Sequence, residues 1–561
     1  MPVTSYDAII VGSGITGGWA AKELTEKGLN TLVLEAGRTI VPEKDYVEHV
    51  PAWELKFRGW DNRAERQRTQ PVQRECYYAC DEYSNRFFVN DVDNPYSTEE
   101  GKKFTWIRGR QVGGKSITWG RQSYRWSDLD FEANLREGIA VDWPIRYADI
   151  APWYDYVEEF AGISGQPEGL PQLPDGKFLP PMEMSCPELD FRDAIAKKFD
   201  DRILTIGRAA VLTRVHKGRA ACHYCGVCHR GCITQSYFSS LNSTLPAAQK
   251  TGRLTIRPYS VAHSLIFDSK TRRVSGVRVI DAQTKNALEF KGRIFFICAS
   301  ALESTRLLLN SGTPEFPNGL ANSSGELGHN LMDHHMGAGA NGEMPGHEDK
   351  VPFGNRPNGI YVPRFRNVNT KQKDFVRGYG YQGGAGRAGW MRGARMAGFG
   401  ADFKNTLKAP GPWSMGLHGF GECLPNHDNY IEVDKEKVDA WGIPTVKIHC
   451  AWSENERNMS KDVAVQAAEM LAAAGARNIS VFQEMSPPGL AIHEMGTARM
   501  GRDPKASVLN EHNQAHEVKN LFLTDGACMT SSSCVNPSLT YMALTARACD
   551  FAVAQMKKSE L

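Results

Sequence analysis

The chain has 561 residues, of which 41% are hydrophobic and 23% charged, an ordinary composition for a globular protein. That length suffices for a large core and for two or more domains. Lys and Arg number 66 against 64 Asp and Glu, so no strong field favours nucleic acid or an anionic membrane surface.

The opening Met-Pro-Val-Thr-Ser-Tyr-Asp lacks a basic n-region, a twin-arginine pair and a small-residue cleavage site. The expected location is therefore cytoplasmic, or periplasmic by co-export with a signal-bearing subunit. Apolar runs such as Ile294 to Cys298 are too short to cross a bilayer. Tyr6 to Val11 predicts a buried parallel strand. Gly12-Ser13-Gly14-Ile15-Thr16-Gly17 follows, Trp19 to Lys27 has helical spacing, and a strand from Thr31 to Leu34 ends at Glu35. This is a βαβ unit. Its first glycine permits the tight turn, the second lets backbone approach a pyrophosphate, and the third lets helix pack on strand. The helix start offers free N–H groups to phosphates, and Glu35 is placed to bind ribose hydroxyls. The loop predicts dinucleotide binding and does not decide between NAD and FAD.

Residues 40–105 are polar, aromatic and rich in turn formers, and are read as long surface excursions. Glycine returns over Gly109 to Gly120, and Tyr147, Ile150, Trp153, Tyr154 and Val157 suit an amphipathic helix after Asp142-Trp143-Pro144. Strands are expected at Leu254 to Ile256, Val274 to Ile280 and Arg293 to Cys298, and a helix from Ala301 to Asn310. Residues 340–430, rich in Gly, Trp, Met and Arg, form a separate half whose loops face a pocket. A helix over about 455–474, a strand at Leu521 to Leu523 and a final helix complete the chain, without internal repeats.

Thirteen cysteines are present. Four are crowded at Cys222, Cys225, Cys228 and Cys232; the scatter of the rest argues against a disulfide framework. This compact spacing is that of an iron–sulfur binding loop. An empty structural thiol group is the alternative, and zinc a third, since four-thiolate zinc sites more often use two knuckles separated by a longer loop.

Several motifs resemble the glucose–methanol–choline (GMC) family of flavoproteins. Gly109-Arg110-Gln111-Val112-Gly113-Gly114-Lys115-Ser116 resembles its first signature, with Lys115 in place of the usual small residue. Ser300-Ala301-Leu302-Glu303-Ser304-Thr305-Arg306 resembles the second signature, and Gly328-His329-Asn330-Leu331-Met332-Asp333-His334 the turn into the substrate domain. His493-Glu494-Met495-Gly496-Thr497, Asp525-Gly526-Ala527 and Asn536-Pro537-Ser538-Leu539-Thr540 resemble the C-terminal segments that carry the active site.

The resemblance implies an α/β fold. A Rossmann-like FAD-binding domain would span 1–330, with the cysteine loop 222–232. A second, α+β substrate-binding domain built on an antiparallel sheet would span 331–489, and 490–561 would return to the FAD-binding domain. It assigns to the cofactor Gly12, Ser13, Gly14, Thr16, Gly17, Glu35, Arg110, Gly113, Gly114, Ser116, Val261, Asp525, Gly526, Asn536, Pro537 and Thr540. Some relatives attach FAD through a histidine where this chain has Thr118, so dissociable FAD is expected. His493 is the expected base and Asn536 the expected hydroxyl-holding partner, with His418 next in line as base. A neutral imidazole suits the task because its pKa lies near working pH.

Asp142-Trp143-Pro144-Ile145 and Asn536-Pro537 resemble pyranose oxidases, bacterial glucose and fructose dehydrogenases and glucoside 3-dehydrogenases. The expectation is oxidation of a secondary ring hydroxyl of a sugar or glycoside to a ketone, with Trp390, Trp413, Trp452, His418, Arg387 and Asn426 available to the substrate. Alternatives are oxidation of an aldose to its lactone, an oxygen-using pyranose-type oxidase, and a flavin-binding electron-transfer subunit without its own substrate. A cluster of 3Fe-4S or 4Fe-4S type on Cys222, Cys225, Cys228 and Cys232 would relay electrons to a small accessory subunit and a c-type cytochrome.

Overall fold

The computed structural model describes residues 5–51, 53–59, 62–76 and 78–561. Its first layer is a seven-stranded sheet. Leu254–Arg257, Thr31–Leu34, Ser5–Val11 and Ala287–Ile297 lie side by side in parallel. The last of these strands does two jobs. Ala287 to Lys291 pair antiparallel with Arg273–Asp281, while Phe295 to Ile297 pair parallel with Leu521–Leu523. The predicted strand from Arg293 therefore begins six residues earlier, because its first half alternates between exposed and half-buried positions and carries no continuous apolar run.

The helix Ile15–Glu26 begins four residues before the predicted Trp19. Gly14 stands extended at its N-cap and supplies no side-chain cap, so the first N–H groups of the helix stay open to a ligand. Gly12 has φ +96°, and a Cβ there would lie 2.4 Å from the Cys298 carbonyl oxygen. The turn therefore requires glycine. The final helix, Ser538–Lys557, packs between Ile15–Glu26 and Tyr147–Ala161. It buries Leu539, Met542 and Leu544 completely, each contributing about 1.5–3 kcal/mol.

The second layer is a six-stranded antiparallel sheet. Its order is Arg477–Gln483, Ala338–Met344, Trp413–Gly421, Tyr379–Arg387, Ile360–Val362 and Thr205–Ile206. The helix Glu454–Ala473 covers one face, with Met459, Val463, Ala467 and Met470 against Ala340, Met415, Leu417 and Tyr381. Ser453 caps this helix, and Glu456 returns a hydrogen bond to its backbone, a reciprocal cap. Along Trp413–Gly421, every second residue from Trp413 is buried. Strand alternation thus turns Ser414, Gly416, His418 and Phe420 to the other face.

Residues 40–105 are not surface excursions throughout. Ile40, Tyr46, Cys76, Cys80, Phe87 and Phe88 join Ile107 and Ile117 in a small core of their own. That core backs the glycine-rich segment 109–120. Among the described residues, no helix is long and apolar enough to cross a membrane.

Candidate active site

Between the two sheets lies a cavity of about 840 Å³, at the large end for a small-molecule site. One end is walled by Gly12, Ser13, Gly14 and Thr16, by Glu35, by Arg110, Gly114 and Ser116, and by Val261. Asp525, Gly526 and Asn536 line it from the C-terminal segment. Four of the expected cofactor residues stand behind the wall. Gly17 packs so close that a Cβ would meet the Gly12 carbonyl oxygen at 2.0 Å. The Gly113 amide donates to Ser13 Oγ at 3.0 Å. Thr540 Oγ1 pairs with the Tyr154 hydroxyl at 2.7 Å, and Pro537 is the N-cap of the last helix.

This end fits FAD on its own geometry. The uncapped helix start at Gly14 offers amides to a pyrophosphate. Gly114 faces Gly14 so closely that a Cβ on it would lie 2.8 Å from the Gly14 Cα, leaving backbone as the lining. The Glu35 carboxylate accepts from Ser13 Oγ at 2.5 Å and from the Gly37 amide at 2.9 Å, which fixes it on the cavity wall just beyond its strand, the position from which an acid in this motif binds ribose hydroxyls. Burial raises its pKa. Asp525 accepts from Ser304 Oγ at 2.5 Å and from the Ala527 amide at 3.0 Å; burial lifts its pKa to about 6.

At the other end, side chains from distant segments meet. His334 Nε2 lies 3.1 Å from the Ser532 carbonyl oxygen, which can only accept, so Nε2 carries the proton. Burial holds the His334 pKa down at about 4, and the neutral ring presents a lone pair at Nδ1. That lone pair faces His493 Nδ1 at 2.9 Å, so His493 donates there. Its Nε2 then keeps its own lone pair, 3.4 Å from Asn536 Nδ2. Asn536 Oδ1 accepts from Gln382 Nε2 at 2.7 Å, which points the amide donors of Asn536 at His493. Burial, His334 and Lys115 push the His493 pKa well below its ordinary value. The result is a neutral imidazole whose free nitrogen is fixed beside an amide donor. This is the arrangement needed to take a proton from a hydroxyl held by both.

Two carboxylates brace this base. Asp333 accepts from the amides of Gly489, Ala491 and His493 at 2.8, 3.2 and 3.1 Å, pinning the loop that carries His493. Burial and the nearby Glu494 raise its pKa to about 7. Lys115, the departure from the family signature, donates to Glu494 Oε2 at 3.1 Å. It supplies a counter-charge to a carboxylate that is otherwise buried.

Of the six residues expected to serve the substrate, only His418 reaches the cavity. Trp413 lies on the buried side of its strand and donates to the His347 carbonyl. Trp452 donates to the Ser486 carbonyl, Arg387 to carbonyls of Gly411 and Lys350, and Asn426 accepts from the Asp428 amide. Trp390 is 61% exposed. In their place stand Gln382, Phe420, Met336, Trp119 and Gln122. Gln382 sits opposite His418 in the strand register. Sequence reasoning missed it because only that pairing places it on the wall.

The cysteine spacing does not become a cluster site. Among the described residues, no group of three or more His, Cys, Asp or Glu side chains is placed to hold a metal ion. The thiols of Cys222, Cys225, Cys228 and Cys232 serve the loop itself. Cys222 Sγ accepts from the Tyr224 amide and Cys232 Sγ from the Ser236 amide, and Cys228 opens a short turn on the cavity wall. Burial pushes the Cys222 thiol up to about 11, and the neighbouring Cys228, Cys225 and Cys232 add to the rise. The expected iron–sulfur site is thus not supported, and no electron path is derived through it.

A dinucleotide-binding sheet joined to an antiparallel sheet, with a neutral histidine–asparagine pair between them, defines a flavin-dependent oxidoreductase acting on hydroxyl groups. The chain belongs to the GMC oxidoreductase family, whose N-terminal model matches residues 6–336 and whose C-terminal model matches residues 425–545. It is 28% identical to 2-methyl-1,2-propanediol dehydrogenase of Mycolicibacterium austroafricanum, over 97% of this chain and 94% of that one. It is 26% identical to the fructose dehydrogenase large subunit of Gluconobacter japonicus, over 99% of both. Its fold matches the crystal structure of pyridoxine 4-oxidase from Mesorbium loti with a TM-score of 0.61, at 18% identity over 97% of this chain and 98% of that one. The family binds FAD, and this chain is an enzyme acting on alcohol or sugar CH–OH groups.

Proposed function

We propose that the protein is a dehydrogenase that oxidises a secondary ring hydroxyl of a sugar or glycoside to a ketone. The observation that carries this reading is the hydrogen-bond chain from Ser532 through His334 to His493, with Asn536 fixed by Gln382. FAD, when bound, supplies the acceptor for the hydride that leaves the carbon. His493 Nε2 takes the hydroxyl proton, and Asn536 Nδ2 holds the hydroxyl oxygen, where misplacement of about 1 Å is costly. Gln122, Gln382 and His418 offer polar groups for further hydroxyls, and Trp119 and Phe420 offer flat faces for a ring. This mix suits a polyol ring better than a simple aliphatic alcohol.

FAD is proposed to be held without a covalent bond, since Thr118 on the wall offers no imidazole for attachment. The fructose dehydrogenase relative is named a large subunit, which supports a companion chain here, with an accessory or cytochrome subunit taking the electrons. The test is anaerobic bleaching of the holoenzyme by a panel of sugars and glycosides, followed by product analysis. A ketone at a ring carbon is the expected result. A lactone would move the reaction to the anomeric carbon, and fast reoxidation by oxygen would make the enzyme an oxidase. A flavin that no sugar or glycoside reduces would overturn the reading.

A further inference from the structure

Five lysine or arginine side chains reach the cavity wall: Arg108, Arg110, Lys115, Arg121 and Arg306. Four of them face carboxylates. Arg108 lies 2.9 Å from Asp91, Arg110 3.4 Å from Glu303, Lys115 3.1 Å from Glu494 and Arg306 2.8 Å from Asp439. Arg121 has no carboxylate within 4.0 Å among the described residues. Its guanidinium lies over the Tyr237 ring, 5.3 Å from the centroid, and donates once, to the Trp119 carbonyl. Its Nε is buried without a hydrogen-bond partner. A guanidinium has five N–H donors in a planar fork, so most of its recognition capacity is unused.

The position is held in place. Arg121 adopts φ +60°, a left-handed conformation that non-glycine residues rarely take and that gathers at ligand sites. Its carbonyl is tied down by the Ala210 amide at 2.8 Å and Ser123 Oγ at 3.0 Å. The next residue, Gln122, reaches the second sheet: a Cβ on Gly207 would lie 3.3 Å from its Oε1, and the Gly207 amide donates to the Gly359 carbonyl. Gly359 lines the cavity with Gln382. The segment that carries Arg121 therefore reaches the substrate end through its neighbour Gln122.

We propose that Arg121 is the recognition point for a carboxylate on the substrate, so that the preferred substrate is a sugar acid rather than a neutral sugar. This rests on the reading of the site as one that oxidises a polyol. A half-buried charge without a partner is unfavourable until a ligand supplies one. The planar fork matches a carboxylate with two parallel hydrogen bonds, and a single unpaired positive charge matches a monoanion better than a phosphate dianion.

The test compares matched pairs, glucose with glucuronate and methyl glucoside with methyl glucuronide, as anaerobic reductants of the bound flavin. The acid of at least one pair should be favoured at least tenfold in second-order rate. Arg121→Gln should erase the preference with FAD retained, and Arg121→Lys should keep part of it. Neutral members reducing the flavin as fast as the acids, or a preference unchanged in Arg121→Gln, would overturn the proposal. A second arm needs no turnover: gluconate titrated into the oxidised holoenzyme should shift the flavin spectrum saturably, and glucitol should not. Saturable gluconate binding lost in Arg121→Gln and only weakened in Arg121→Lys, with no member of any pair reducing the flavin, would sink the oxidation reading and leave the anion site standing. No saturable binding would sink the anion site alone.

Discussion

The two ends of the cavity are built by different means. The cofactor end centres on two short glycine-rich loops, residues 12–16 and 113–116, which meet with backbone close to backbone at Gly14 and Gly114, and Glu35, Arg110, Val261, Asp525 and Gly526 complete it. The substrate end is assembled from Arg121, Gln382, His418, His493 and Asn536, brought together by sheet register and by a loop pinned on Asp333. Backbone lining tolerates drift in the side chains around it. A side-chain constellation depends on each partner for its orientation. Substitutions should therefore spare the first end while disarming the second.

The largest effect is expected from His493→Ala. Loss of general-base assistance should slow flavin reduction by about 10²–10⁴-fold, with FAD still bound, as read by stopped-flow absorbance. Near-normal reduction in the folded variant would place the base elsewhere, with His418 the next candidate.

His334→Gln tests the proton chain. Its side chain cannot hold His493 in the same tautomer in the same way, so flavin reduction should fall by about 10–100-fold. The pH profile separates this from a packing defect. In the wild type the depressed pKa of His493 keeps its imidazole neutral as pH falls through the ordinary value of about 6.5. The His493 imidazole should therefore add no acid limb near pH 6.5, and a limb near pH 7 is expected only from Asp333, which accepts from the His493 amide. In the variant, burial, the largest cause of the depression, remains while the His334 contribution is gone, so the acid limb of His493 should move up in pH without reaching the ordinary value. A fall in rate near pH 6.5 that persists in Asp333→Asn would contradict the assigned tautomers.

Gln382→Ala should have the smallest effect. Asn536 loses the partner that fixes its amide, and the rate of flavin reduction should drop by about 3–10-fold, in line with one hydrogen bond worth about 1 kcal/mol. The loss should appear at saturating substrate as well as in KM, because orientation of the hydroxyl is affected. A change confined to KM would assign Gln382 to substrate contact alone.

The same contrast explains what the sequence disclosed. The βαβ unit, Glu35, the helix from Tyr147 and the C-terminal strand and helix were legible because each is local: a periodicity, a glycine spacing or an acid at a strand end. His493 and Asn536 were singled out through family motifs, and the structure brings them together, with His334 and Gln382 as their hydrogen-bond partners. Gln382 became a wall residue only through its pairing with His418. The six aromatic and polar candidates for the substrate failed for the same reason. Composition cannot tell Trp413 from Phe420, whereas alternation along one strand buries the first and turns the second to the cavity. The cysteine spacing does draw the thiols of Cys222, Cys225, Cys228 and Cys232 near one another, yet among the described residues no group of three or more is placed to hold a metal ion: spacing along the chain does not set the geometry of ligation.

The double use of the strand Ala287–Ile297 has a consequence for how the protein is made. Its Phe295-Phe296-Ile297 edge waits for Leu521–Leu523, and Phe295 and Leu521 are 226 positions apart. During synthesis this apolar edge stays unpaired while five of the six strands of the second sheet are being laid down, a long-range closure of the kind that slows folding and exposes chains to aggregation. The segment that closes the edge lies between His493 and Asn536. Completion of the first sheet and arming of the catalytic pair are thus one late event, and a chain cut short before residue 521 would have both an open edge and no amide partner for its base.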